Sequence, residues 1–357
     1  MAYRKAPFRV GRQKTTTMMW MIQAALVVNL IASVVFFTLN DFDGWQLLVN
    51  ALVAVVTGVA VEYLFYRSWK RPQSILHLVL RKQAAMIPLM VTLMLPLHAP
   101  LYLVAVSTVI AVWIAKLVFG GFGNSIFQNA TVGVLFAYVS FAPQLVLPAL
   151  LMGRGVAYPI DTLKNALFNN ELSGLDLSSL LFGNYYTAAA GAVSGLVLIG
   201  LWVVLSATKS IDWMLGATYV ASVFVMTALV GGVDVGLEMV LTGMVLFAAV
   251  FLVSDPVTSP TTRNMKILYA VIVALVTVMI RYLGNNTEGV LFAILIGNVV
   301  TPYMNRNARS GTLRSLVQTM AIAVVITVAT GYVIGLASQP VTEEVSTAWE
   351  VTMNETS

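Results

Sequence analysis

Cysteine is absent from the 357 residues, which removes disulfides, thiolate metal sites and cysteine nucleophiles together; any iron–sulfur cluster must belong to a partner. Histidine is nearly absent. His77 and His98 lie at or near loops rather than as a ligand pair, which argues against a histidine-ligated haem or zinc site. Charged residues make up 10% of the chain against 59% hydrophobic ones, and the mean hydropathy is +0.87. Too few polar side chains exist to cover a core in water, so a soluble enzyme is excluded and the chain reads as an all-α integral membrane protein. A net charge of +5 would suggest nucleic acid in a soluble protein. Here its distribution matters more than its size, and no nucleic-acid partner is expected.

Apolar runs long enough to cross, or nearly cross, a bilayer fall at about 18–39, 46–66, 84–97, 101–118, 127–150, 185–205, 213–230, 236–253, 267–282, 289–303 and 316–336. The runs at 84–97 and 289–303 are short and carry internal or flanking proline, which predicts broken or partly re-entrant helices. Residues 1–17 are basic, and the first run has span length with no small-residue cleavage site after it, as expected of an anchor that stays. Placing that terminus in the cytoplasm leaves roughly 17 of the 20 Lys/Arg inside, which fits the positive-inside rule. The expected organisation is a cytoplasmic N-terminus (1–17), a first transmembrane repeat (18–150), an outer loop (151–184), a second repeat (185–305), an additional transmembrane helix (306–338) and an acidic outer tail (339–357).

The repeats rest on a pentapeptide. Gly-Val-Leu-Phe-Ala occurs at 133–137 and at 289–293, each time after a Gly/Asn-rich loop (120–124 and 284–286) and a full helix preceded by a proline-containing break. The charge-based topology puts the two copies in opposite orientations, the pattern of an inverted-repeat bundle of about ten helices with a central site between broken helices. Two unrelated helices of similar composition are the alternative.

The stretch 251–262, Phe-Leu-Val-Ser-Asp-Pro-Val-Thr-Ser-Pro-Thr-Thr, is the chemical centre of the sequence. Pro256 and Pro260 lack backbone donors and disfavour helix before them, so the preceding run must end here. Asp255, Thr258, Thr261 and Thr262 then supply acceptors and hydroxyls at a helix carboxyl end, suited to a flavin or a hydrated cation, or to a structural cap. The loop is read as packed beside a cofactor, the alternative being an interfacial loop with Asp255 solvated. Gly120, Gly121 and Gly123 allow tight turns that expose amide donors, and Asn124 adds an amide edge. Glu62 sits near the cytoplasmic end of the second run; it either serves an ion path or snorkels toward Arg67. Asp234 and Glu238 border an outer loop and are expected to be solvated.

Taken together, three stretches resemble the RnfD/NqrB membrane subunits of ion-pumping electron-transport complexes. These are the Ser-Asp-Pro-Val-Thr-Ser-Pro-Thr-Thr line at 254–262, the Phe-Gly-Gly-Phe-Gly-Asn loop at 119–124, and the segment 281–302 with its Gly-Val-Leu-Phe-Ala and its Asn and Pro. The similarity runs from about residue 6 to residue 305 in constant order. It implies an inverted-repeat bundle in the inner membrane, beside partner membrane subunits that include a flavin-bearing RnfG/NqrC-like chain. It also implies electrons hopping through flavin, coupled to Na⁺ or H⁺ movement.

The departures from that family are specific. Its outer-loop threonine, which carries FMN through a phosphoester, corresponds to Tyr158 here; a phenol is not the alkyl hydroxyl that the modification uses, so covalent FMN is not expected. Thr218, in the line Asp-Trp-Met-Leu-Gly-Ala-Thr, matches most of the acceptor consensus but falls near the cytoplasmic end of a helix, in the wrong compartment. Residues 83–88 and 124–130 have drifted from the family's cofactor-lining patterns, and the helix at 316–336 is additional to it. The expected function is a subunit housing a non-covalent flavin (riboflavin or FMN) or a quinone site. The alternative is a redox-inert paralogue acting as an assembly scaffold or a small-solute channel.

Overall fold

A computed structural model of the chain describes residues 15–40, 42–69, 74–121, 123–142, 144–145, 181–182, 189–283, 289–307 and 313–337. Tyr158, the acidic tail and the 284–286 loop lie outside the described residues. Among those described there is no β-strand, and the chain is an all-helical membrane protein. Among the described residues, four helices are long and apolar enough to cross a bilayer by length and composition.

Helix α1 (Thr15–Leu39) turns tightly into α2 (Gly44–Ser68). A short helix, α3 (Ile75–Lys82), follows, capped by the Ser74 hydroxyl accepting from the His77 amide at 3.2 Å and closed by Gln83 at φ 51°. Helix α4 (Met86–Met94) has all nine residues buried. At 1.5 Å per residue it spans about 14 Å, half of a bilayer core, and Leu95-Pro96 ends it. Pro88 is tolerated because it sits in the first turn, where no helical partner awaits its nitrogen. Helix α5 (Leu101–Val109) continues as a π-helix (Ile110–Leu117), and α6 (Asn129–Ser140) begins with the Gln128 side chain accepting from Thr131 N.

The second series starts with a 3₁₀ turn (Ala190–Ala192) and α7 (Gly195–Ala207). Helix α8 (Trp213–Leu241) is bent at Gly232, whose φ of 90° only glycine adopts readily. After Leu241 the chain breaks at Gly243 (φ 64°) and resumes as α9 (Val245–Phe247), extended by a π-helix (Ala248–Leu252). Then come α10 (Arg263–Leu283), α11 (Gly289–Asn307) and α12 (Leu313–Ala337).

Two expectations change here. The run 236–253 is two half-length pieces broken between residues 241 and 245, although it does end where Pro256 requires. The run expected to be broken at 289–303 is instead the continuous α11 with Pro302 inside it, exposed and five residues from the helix end, where it forgoes a single bond to the carbonyl of residue 298.

Lipid tails are as apolar as leucine, so these helices associate through close packing rather than hydrophobic transfer. In both copies of the pentapeptide the glycine makes the contact. A Cβ at Gly133 would meet Ala111 Cβ at 2.7 Å, and one at Gly289 would meet Ile280 Cγ2 at 2.8 Å. Thus α6 closes on α5 and its π extension, and α11 closes on α10. The two series meet where α1 packs on α7, α6 on α11, and α4 on the 3₁₀ turn. Helix α12 lies against α8 and α10. Leu52, Val56, Val203, Val204 and Val325 face outward, as lipid-contacting side chains do.

Candidate functional site

Three interruptions converge at one end of the bundle: the loop after the first π-helix, the start of α4 and the loop after the second π-helix. They enclose a narrow cleft of about 30 Å³ between the two series. Ile22, Met86, Ile87, Met90, Val250 and Phe251 form apolar walls. Gly123, Ser125, Gln128, Asn129, Ser254 and Asp255 supply its polar lining.

Asp255 is fixed by its own turn. Val257 N donates to Oδ1 at 3.2 Å and the Thr258 hydroxyl donates to Oδ2 at 3.1 Å, a local arrangement that aspartate before proline favours. Thr261 is turned away, its amide and hydroxyl both donating to Asn305 Oδ1 at 3.0 and 3.2 Å, which ties the loop to the last turn of α11. Thr258 and Thr262 do not line the cleft; Thr262 Oγ1 is buried without a partner among the described residues.

The glycine loop divides similarly. Gly121 N donates to Lys116 O at 2.9 Å and Gly120 N to Leu117 O at 3.1 Å, both at positive φ, so these two glycines cap the π-helix. Gly123 reaches the cleft, whereas Asn124 is exposed outside it. Of the candidates named from sequence, Gly123 and Asp255 therefore line one site, Gly120 and Gly121 cap its π-helix, Thr258 and Thr261 fix its loop, and Asn124 and Thr262 lie off its lining.

Sequence reasoning passed over Ser125, Gln128, Asn129, Met86 and Met90. Ser125 Oγ and Asn129 Oδ1 are buried with no hydrogen-bond partner among the described residues. Gln128 is committed, its Oε1 capping Thr131 N at 3.1 Å. The available signal was the pair of stretches, 83–88 and 124–130, that depart from the family pattern. Both line the cleft.

Glu62 is elsewhere. Its carboxylate accepts from Lys116 Nζ inside the protein, with the side chains 0% and 2% exposed, rather than reaching the exposed Arg67. Glu238, expected to be solvated, is buried, while Asp234 is exposed. Arg281 is also buried, donating to Met239 O at 3.0 Å and Thr242 O at 3.1 Å, and so holds the carbonyls freed by the break after Leu241. Among the described residues no group of His, Asp or Glu is arranged to hold a metal ion.

A family model described as "NQR2, RnfD, RnfE family" matches residues 2–314. Similar curated proteins are D-type subunits of the ion-translocating oxidoreductase complex. That of Aliivibrio salmonicida is 27% identical, with 84% of this chain and 94% of the relative covered. That of Shewanella amazonensis is 27% identical over 74% and 85%, and that of Escherichia fergusonii 25% over 85% and 96%.

Proposed function

The chain belongs to the NQR2, RnfD, RnfE family, and from that premise we propose that it is the RnfD-like membrane subunit of an ion-translocating oxidoreductase complex, with the cleft as a non-covalent flavin site. The observation that carries the site is the pairing of two partnerless buried polar atoms, Ser125 Oγ and Asn129 Oδ1, with walls of methionine, isoleucine and phenylalanine. Buried polar atoms without partners cost about 1–3 kcal/mol each, so a site that retains them is suited to a ligand that satisfies them. An isoalloxazine has that complementary character, with flat apolar faces and a polar edge of donors and acceptors. The lining residues match it in chemistry, and the cleft, at about 30 Å³, would have to widen between its walls to admit the ring.

A bound flavin would supply one-electron steps between donor and acceptor; the protein supplies position, dielectric and hydrogen bonds. Met86, Met90 and Phe251 would pack against the ring and exclude water. The Ser125 hydroxyl would donate to an edge acceptor, and Asn129 Oδ1 would accept from an edge donor. Gly123, with no side chain and nothing within 4 Å of where a Cβ would stand, leaves the loop backbone accessible. Asp255 keeps its carboxylate oriented through Val257 N and the Thr258 hydroxyl.

The same reading places the N-terminus in the cytoplasm, the cleft near the cytoplasmic face of the inner membrane, and a flavin-bearing RnfG/NqrC-like subunit among the partners. Ion movement, of Na⁺ or H⁺, would use the polar breaks between the inverted halves. Glu62 remains a candidate on that path because its Oε2 has no partner among the described residues, but a cation there competes with the Lys116 ammonium. The redox-inert scaffold is favoured by Tyr158 at the flavinylation position and by Met86-Ile87-Pro88 where the family carries a hydroxyl and a glycine.

The visible spectrum of the purified complex and of this chain separated from it distinguishes the two. Flavin absorbance that bleaches on reduction and stays with the chain supports the carrier. A colourless chain supports the scaffold.

A further inference from the structure

Helix α12 does more than add a crossing: with α8 and α10 it forms a lateral groove of about 500 Å³ away from the flavin cleft. Its walls are apolar and open outward, with Val324 and Val328 exposed. From Trp213 to Val225 it runs twelve residues along α8, about 18 Å, the reach of a lipid chain through most of one leaflet. Its mouth differs from its trough. Arg263, the first residue of α10, stands there beside Trp213, the first residue of α8.

The two cations at that mouth are in different states. Lys266 is neutralised by Asp212 at 2.5 Å. Arg263 is exposed and makes no ion pair among the described residues; its Nε donates only to Met214 Sδ at 3.3 Å, which leaves both terminal guanidinium nitrogens available. The loop is on the basic, cytoplasmic side by the distribution of Lys and Arg.

We propose that this groove is a binding site for one anionic phospholipid of the cytoplasmic leaflet, its phosphate on the Arg263 guanidinium and an acyl chain in the trough between α8, α10 and α12. A planar guanidinium matches two phosphate oxygens at once, and the tryptophan suits the headgroup level. A neighbouring apolar helix would fill the trough but leave the arginine unanswered. The site is independent of the electron-transfer reading. It gives α12 a purpose, as the third wall.

The delipidated full-length chain is titrated with phosphatidylglycerol or with phosphatidylcholine of the same acyl chains, and retained lipids are counted by native mass spectrometry. The expected result is a single phosphatidylglycerol held at concentrations where phosphatidylcholine is lost. Arg263→Gln weakens phosphatidylglycerol about five-fold and leaves phosphatidylcholine unchanged. Val324→Trp, which fills the trough, removes the tight adduct. Equal retention of the two lipids, or phosphatidylglycerol binding unaltered in Arg263→Gln, overturns the site. Because Arg263 is exposed, that variant decides the matter even if Val324→Trp fails to fold.

Discussion

Lys116 Nζ donates to the carboxylate of Glu62 with both side chains sealed from solvent, so the π-helical end of α5 is fastened to α2 by a buried ion pair. Removing one partner strands the other charge, a loss of about 3–5 kcal/mol, whereas replacing both with apolar side chains is near neutral or stabilising. Lys116→Met and Glu62→Gln are each expected to lower the thermal midpoint in detergent markedly, and Glu62→Leu combined with Lys116→Met to recover most of it. A double variant no better than the singles would contradict a purely pairwise role.

Arg281 performs a comparable task at the other end, across the break after Leu241. Its two charge-assisted bonds to Met239 O and Thr242 O are worth about 1.5–3 kcal/mol each. Arg281→Met is expected to destabilise the chain by several kcal/mol and to raise protease cleavage between 241 and 245. Unchanged cleavage would mean that the broken segment is held by other contacts.

The pentapeptide glycines make a size prediction. Gly133→Ala drives a methyl into Ser107 O and Ala111, a clash costing about 1–3 kcal/mol, while Gly200→Ala, with nothing within 4 Å, is expected to be neutral or slightly stabilising. Thermal unfolding of the two variants side by side checks this. Equal midpoints would remove the argument that glycine sets the α5–α6 approach.

Much of this fold was legible because proline and aspartate speak locally. Pro96, Pro100, Pro256 and Pro260 mark the ends of half-helices without reference to any partner, and the Asp255 turn closes within three residues of itself. The break at 242–244 was not legible, since a single Gly243 in an apolar run carries no compulsion; Arg281, far along the chain, supplies the missing partners. The Lys116–Glu62 pair was hidden for the same reason, because hydropathy reads each charge alone and cannot see a helix 54 residues away. At the cleft, Gly123 and Asp255 were visible as motif residues. Ser125 and Asn129 stood in a stretch marked in sequence only as divergent, and gained a role when folding left their oxygens without partners.

Tyr158 makes a separate prediction about covalent chemistry. On a denaturing gel under ultraviolet light the band of this chain is expected to be dark. A fluorescent band for this chain would show that another hydroxyl, Thr218 being the nearest match in sequence, accepts the phosphoester.

The most direct test of the cleft is the acid-extractable flavin carried by the full chain, wild type against Asn129→Leu, with Gly200→Ala as a control for folding. Asn129→Leu removes one buried acceptor and narrows the polar edge, and is expected to lower retained flavin severalfold at unchanged thermal stability. The control keeps the wild-type amount. Equal flavin in all three proteins, or none in any of them, would contradict a carrier held between Gly123 and Asp255.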